Sequence, residues 1–348
     1  MDLERLYLRP ESFYADNNIT LRLGERVSGL DAVSKHVQIG ETTLAYDHLV
    51  LTTGSFPRML PVEMGGHLEG VYLVRDLADV DKMAPEFRDG AHVLVVGGGY
   101  IGLEGAAVAA EKGLRVTLIE AADRILQRVA APETSEFFRV LHRGHGGEIL
   151  DGAILVTLFG DGRVSGARLT DGSEMAVDFV VVGIGIAPAT ALAEAAGAQI
   201  DDGIKVDDQG QTSVAGIWAA GDCASFPHAE GRLRLESVPN AIDMADCVAE
   251  NIMGAAKTYV PQPWFWSDQY DVKLQIAGLN TGYDRVVTRE GKAGVSFWYY
   301  SGDNLLAVDA ANDARAYMIG KRLIDAGKTA DPAAVADPDA DLRVFLKA

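Results

Sequence analysis

The 348-residue chain has only two cysteines, Cys223 and Cys247. They form no C-x-x-C pair, and two thiols make no disulfide framework, so a reducing, cytoplasmic setting is expected. Positive charge is scarce. Against 50 Asp and Glu stand 31 Lys and Arg, a formal net charge of −19, which argues against nucleic acid or an anionic membrane as partner. Long apolar runs are missing. The longest uncharged apolar stretch, 179–193, is broken by Gly183, Gly185 and Pro188 and is too short to cross a bilayer. The opening MDLERLYLRPE carries charges and no apolar centre, so it does not read as a signal peptide. None of the seven histidines follows His228, and no pair has metal-ligand spacing on a helix. His142 and His145 read as a solvated helix end, and no metal site is expected. There is no internal repeat at solenoid periods.

What is present is more telling. The length exceeds one ordinary core, so two or three domains are expected. An apolar content of 48% suits a globular protein. Residues 17 to 53 read as short strands with turns between them: NITLRL, ERVSGL, KHVQIG, TTLAY and HLVLTTG. Residues 92 to 120 read strand, glycine turn, helix, strand, a βαβ unit that opens a new domain. ETSEFFRVLH reads as helix, 153–182 as strands with DGR and TDGS turns, and PNAIDMADCVAENIM as a helix with Pro239 near its start. From Pro261 the chain turns aromatic, with PWFWSDQY and FWYY, and ADPDADLRVFLKA offers a helix start at Asp337-Pro338.

The strongest local signal is VLVVGGGYIGLEGAA, which supplies Gly97, Gly99 and Gly102 as G-x-G-x-x-G. Its context gives the motif weight: a strand precedes it, a helix opens on Tyr100 and Ile101, and the next strand ends in Glu120, 18 residues past the last glycine. Gly97 permits the tight turn. Gly99 lets backbone approach a pyrophosphate, and Gly102 lets helix and strand pack. The helix N-terminus faces the anion. Glu120 suits the ribose hydroxyls of NADH and would repel a 2′-phosphate.

Other positions carry two readings each. Glu104, on the helix's first turns, serves either the helix dipole or the nicotinamide. Gly183, Ile184 and Gly185 in VVVGIGIAP are a flexible strand exit or part of the same site. Asp222, in the strand end GIWAAGDCA, is a turn or N-cap aspartate or a cofactor ligand at the carboxyl end of a sheet. Trp264 and Trp266 are core aromatics by default.

Taken together, LVLTTGSFPR, VLVVGGGYIGLE, RVTLIEAADRIL, VVGIGIAP, GIWAAGDCA, ESVPNA, PWFWSDQY and LLAVDAANDARAYMIGKRLI resemble the flavin-dependent NADH–ferredoxin reductases of bacterial oxygenase systems, putidaredoxin reductase-like. The resembling stretches run in family order along the whole chain. The resemblance implies an α/β fold with two Rossmann-like dinucleotide-binding domains, one for FAD and one for NADH, plus a C-terminal α/β domain. Residues 1–76 and 201–261 would be the FAD domain, 77–200 the NADH domain and 262–348 the C-terminal interface domain. It implies that Asp222, after Gly221, holds the flavin ribityl chain, and that Thr53 and Gly54 border FAD. The helix beginning at Val238 and Pro239 would point its N-terminus at the flavin ring, and Trp266 would lie beside it on the ferredoxin side. The partner would be a ferredoxin or rubredoxin serving an oxygenase, with Arg315, Lys321 and Arg322 as a local basic patch for it or an ordinary solvated helix face. Chemistry would rest with the cofactors, with no protein acid or base required.

One departure stands at the front. The family opens on its own strand–GxGxxG–helix for the FAD pyrophosphate, and this chain begins, by resemblance, some way into that domain. It is therefore expected to hold FAD poorly. Two rivals follow: a disulfide reductase or oxidase of the same superfold, weakened by the lack of a C-terminal histidine, and an NADH-binding remnant without flavin.

Overall fold

A computed structural model describes residues 3–229, 231–292 and 294–347. Its centre is an all-parallel five-stranded sheet in the order Val71–Tyr72, Phe179–Val182, His92–Val96, Arg115–Glu120, Glu148–Asp151. All residues of His92–Val96 and Phe179–Val182 are buried, as expected of parallel strands covered on both faces. On one face the helices Tyr100–Glu111 and Pro132–Gly144 bring Leu103, Ala106 and Phe138 against Val93, Val95 and Val181. The other face takes Leu94, Val96 and Val180 against an antiparallel sheet of Leu155–Phe159, Gly166–Leu169 and Glu174–Ala176.

A second core gathers around Ile204, Ile217, Phe226, Met244 and Val248. Here the strand Leu49–Leu51 runs parallel to Ile217–Ala219, Ile204–Lys205 runs parallel to Ala224–His228, and the helix Val238–Ile252 covers them. The two cores are joined by a narrow ribbon, Ser55–Pro57 paired antiparallel with Ile186–Pro188. Among the described residues Leu49–Leu51 has a strand partner on one edge only.

The third unit is an antiparallel sheet in the order Trp264–Gln269, Val272–Gly278, Asn304–Ala311, Val295–Ser301, Arg285–Glu290. The helix Ala314–Asp325 packs Ala316, Ile319 and Leu323 on one face of it. From the other face Val272, Leu274 and Ala311 join the core of the parallel sheet.

Four sequence expectations change. NITLRL is irregular rather than a strand, with Ile19, Leu21 and Leu23 exposed. Among the described residues its alternation meets no sheet edge, and a strand without a partner leaves its backbone unpaired. The boundary expected at 76 falls too late, because Val71–Tyr72 is already the outer strand of the parallel sheet. The boundary expected at 200 also falls too late, because Ala193 and Ala198 are buried in the second core. Finally, the helix start in the tail is Asp331-Pro332, where Asp331 accepts the Ala333 N–H at 3.1 Å. Asp337-Pro338 instead follows that helix, with the Asp337 carboxylate closing a turn onto the Asp339 N–H.

Candidate functional site

The glycine turn is built by close approach. A Cβ on Gly102 would run into the Gly97 carbonyl oxygen, and one on Gly97 into the Gly183 carbonyl oxygen. Gly97 holds φ of +107°, a region that favours glycine. By contrast, nothing lies within 4 Å of the Cβ position at Gly99. That open space lies at the start of the helix Tyr100–Glu111, whose first-turn N–H groups have no carbonyl partner within the helix. Open space beside free donors at a helix N-terminus fits a dinucleotide pyrophosphate. Tyr100 itself turns away from it. Its ring packs 5.0 Å from that of Phe265, and its hydroxyl is buried without a hydrogen-bond partner. Ile101 and Ile184 stay exposed at the cleft.

Glu120 is already in use as a structural acceptor. Its Oε2 accepts the Gly98 N–H at 2.7 Å and its Oε1 the Ala122 N–H at 2.8 Å. Each oxygen retains a second lone pair for a ribose hydroxyl. Gly98, which sequence reading passed over, has its own reason to be glycine: a Cβ there would come within 2.6 Å of Ile125 Cγ2. Arg124 is tied to Ser135 Oγ and to the Gln127 carbonyl. Two further arginines were also missed. Arg58 and Arg128 flank Gly185, 4.0 and 3.8 Å from its Cβ position, and neither makes an ion pair among the described residues. Only the ribbon pairing Ser55–Pro57 with Ile186–Pro188 brings Arg58 there, so no local motif signals it.

Glu104 lies deeper. Ser267 Oγ donates to its Oε1 at 2.6 Å. Burial pushes this carboxyl above its ordinary range, opposed by the Ser267 hydrogen bond and helped by the nearby Asp268 charge.

Around Asp222 a second cluster forms. Ser55 Oγ donates to Asp222 Oδ2 at 3.1 Å, and Arg75 Nη2 lies 3.9 Å from the same oxygen. The Arg75 guanidinium also reaches within 3.0 Å of the Cβ position at Gly54. Asp222 caps no helix with its side chain. Thr53 Oγ1 donates to the Ala189 carbonyl at 2.7 Å, and the Ala189 N–H returns a bond to Gly54. The Gly221–Cys223 turn packs on the helix Val238–Ile252, whose N-cap Ser237 accepts the Asn240 N–H. Val238, in the first turn, is exposed, and Pro239 is buried. Ser55, Arg75, Asp222 and this helix start fit the polar chain and ring of a flavin. They do not supply a pyrophosphate site: the described residues hold one glycine fingerprint, and it belongs to the parallel sheet. Trp266 sits on the edge strand that touches both the fingerprint helix and the helix Val238–Ile252. Its ring is half-buried beside Trp264, centroids 5.7 Å apart.

Of the three basic residues expected as a patch, Arg315 and Arg322 are exposed and two turns apart on one face of the helix Ala314–Asp325. Lys321 is not with them. It is half-buried and paired with Asp325 at 2.6 Å. Arg315 pairs at 3.3 Å with Asp341. No described group of His, Cys, Asp and Glu could hold a metal ion. Cys223 and Cys247 are both buried and free. No described helix is long and apolar enough to cross a membrane.

Comparison with known proteins decides the family. Residues 7–245 match the pyridine nucleotide-disulphide oxidoreductase model, and residues 264–346 the reductase C-terminal model. A ferredoxin–NAD(P)+ reductase of a Sphingomonas species is 41% identical, over 99% of this chain and 84% of that protein. The chain belongs to the putidaredoxin reductase-like ferredoxin–NAD reductases. Members of this wider oxidoreductase family typically contain FAD and use NAD(P)H. Among solved structures, the ferredoxin reductase for the CYP199A2 system of Rhodopseudomonas palustris superposes with a TM-score of 0.94 at 38% identity, covering 99% of this chain and 86% of that one. The reductase of the covalent putidaredoxin reductase–putidaredoxin complex gives 0.94 at 36%, covering 100% and 86%. This family likeness, with its C-terminal unit, favours electron transfer to an iron–sulfur protein over the disulfide-reductase reading.

Proposed function

We propose that this protein works as an FAD-dependent NADH:ferredoxin reductase, passing electrons from NADH through flavin to a ferredoxin or rubredoxin that serves an oxygenase. The observation that carries the reading is the meeting of three parts at one place. The strand bearing Trp266 touches both the fingerprint helix, where Ser267 meets Glu104, and the helix Val238–Ile252, on which the Asp222 turn packs. A nicotinamide leaving the glycine turn and a flavin ring held by the Asp222 side would therefore lie near one another.

Each residue has a role in this reading. The first turn at Gly99, Tyr100 and Ile101 binds pyrophosphate through backbone N–H groups. Glu120 accepts the ribose hydroxyls, while Arg58 and Arg128 meet the anion near Gly185. Asp222 holds the ribityl chain, oriented by Ser55 and Arg75. A flavin held there would supply the chemistry that takes a hydride from NADH and yields single electrons. Strand pairing between Leu49–Leu51 and Ile217–Ala219 supports a discontinuous FAD domain with the NADH unit between its parts.

The test is a visible spectrum of the purified protein reconstituted with FAD, followed by NADH-driven cytochrome c reduction with an added ferredoxin. Reduction that requires both FAD and ferredoxin supports the reading. NADH oxidation indifferent to ferredoxin would sink it.

A further inference from the structure

Side chains of the strand Trp264–Gln269 alternate between faces. Phe265, Ser267 and Gln269 point to the dinucleotide unit. Ser267 and Gln269 are fully buried. There they join a chain of hydrogen bonds that leaves the dinucleotide unit and returns to it. Ser267 Oγ donates to Glu104 Oε1 at 2.6 Å, and Gln269 Nε2 donates to Ser267 Oγ at 3.1 Å. His142 Nε2 lies 2.9 Å from Gln269 Oε1, and Tyr270 Oη lies 3.3 Å from His142 Nδ1. His142 is buried on the helix Pro132–Gly144, so it is not the solvated helix end that its spacing from His145 suggests.

The far end of this chain is strained. Tyr270 holds φ of +55°, a region that bulky side chains avoid at a cost of about 1–3 kcal/mol. It is clamped by two histidines: His142 takes its hydroxyl, and His145 stacks on its ring at 3.8 Å with planes 5° apart.

Such a chain has one polarity. A carboxylate only accepts, so the single Ser267 hydroxyl hydrogen is committed to Glu104. Ser267 Oγ must then accept from Gln269, which places the Gln269 amide N–H₂ toward Ser267 and its oxygen toward His142. His142 must therefore carry a proton on Nε2, and in the neutral ring its bare Nδ1 accepts from Tyr270. Burial pushes His142 below its ordinary value, which favours the neutral ring.

We infer that His142 is a positioning residue for Glu104, acting through Gln269 and Ser267 to hold a hydroxyl donor on the carboxylate. The inference rests on the proposed placement of Glu104 beside the nicotinamide. Loss of a hydride leaves the nicotinamide ring cationic, and an adjacent carboxylate favours that oxidised ring. The hydroxyl held on Glu104 therefore raises affinity for NAD+ relative to NADH. Other groups facing the chain are Asp268 and Tyr100 near Glu104, His145 beside His142, and Glu111 near Tyr270.

The experiment has two readouts. The first is ¹⁵N NMR of histidine side chains in the unmutated protein, which needs no ligand. A neutral His142 protonated on Nε2 is expected at neutral pH, and a proton on Nδ1 overturns the chain. The second is the ratio of NAD+ to NADH dissociation constants across pH, read by tryptophan fluorescence. The preference for NAD+ is lost as pH falls and Glu104 protonates. Ser267→Ala, Gln269→Leu and His142→Leu should each move that midpoint upward, by about one pH unit for one lost hydrogen bond. His142→Gln, which restores a donor near Nε2, should return it toward the original value. A midpoint moved by Ser267→Ala but unmoved by Gln269→Leu and His142→Leu overturns the inference. If Glu104→Gln leaves the pH dependence intact, the placement of Glu104 fails instead, and the NMR result still judges the chain.

Discussion

The Glu120 carboxylate reaches back over the glycine turn and accepts the Gly98 N–H at 2.7 Å. This bond ties the end of one strand to the turn after another and aims the remaining lone pairs outward. Glu120→Ala should weaken NADH binding by about ten- to a hundredfold, the loss of one hydrogen bond to a charged group at about 1.5–3 kcal/mol. It should also narrow the gap between NADH and NADPH. Titration calorimetry with both dinucleotides checks this, and equal affinity for the two in the unmutated protein would show that Glu120 does not read the ribose.

Asp309 supplies a pH signature of stability. It is buried where the C-terminal sheet meets the helix Pro132–Gly144, accepting from Thr134 Oγ1 at 2.9 Å and from Tyr299 Oη. Burial pushes its carboxyl up to about 6, against those two donors. A carboxyl raised in the folded state binds a proton that the unfolded chain has already released between about pH 4 and 6. Stability from this group is therefore greatest at low pH, falls as pH rises through that window, and levels above it. Asp309→Asn keeps an acceptor and cannot ionise. Relative to the unmutated protein it should gain on the order of 3 kcal/mol between pH 4 and 6. Urea unfolding across that range measures the difference, and parallel curves for the two proteins would refute the assignment.

For the partner surface, Arg315→Glu with Arg322→Glu should lower ferredoxin-dependent turnover and flatten its loss with salt, because the attraction that salt screens is gone. Direct reduction of ferricyanide should be unchanged. With a net charge of −19 the protein repels an acidic ferredoxin at long range, so any attraction must be local. Lys321→Glu should do less to docking, since Lys321 is turned to Asp325. Parallel loss in both assays would point to damage of the fold.

Flavin retention is the fourth expectation. In the proposed reading Asp222, Ser55, Arg75 and the helix Val238–Ile252 would hold the flavin ring and ribityl chain, and the described residues offer no second glycine turn for its phosphates. Two missing charge-assisted bonds weaken affinity at least a hundredfold at about 1.5–3 kcal/mol each. The 348-residue polypeptide should purify with little FAD yet bind NADH. Adding a strand–GxGxxG–helix segment should recover flavin, and Asp222→Ala in that longer chain should release it again. Stoichiometric FAD on the 348 residues would contradict this.

The βαβ unit at 92–120 was legible without coordinates, because its chemistry is local. A strand, three spaced glycines, a helix and an acid at a set distance are all read within some thirty positions. The same holds for the helix, read at 239–253 and found at Val238–Ile252. The fold class followed from the resemblance that these segments, taken in order, bear to the ferredoxin reductases. Other features depended on residues far apart in the chain. The strand Val71–Tyr72 belongs to the parallel sheet only because Phe179–Val182 lies beside it, and NITLRL is no strand because no edge among the described residues receives it. Arg58 and Arg128 meet at Gly185 from positions 70 apart in the chain, and Arg75 reaches Asp222 across 147 positions. His142 looks like a surface histidine in its own helix and becomes a buried partner of Gln269 only when the C-terminal sheet docks there. Backbone geometry and periodicity are set by near neighbours, and sequence carries them directly. Burial, pairing and the charge state of a carboxyl are set by whatever the folded chain brings alongside, and only the tertiary structure decides them.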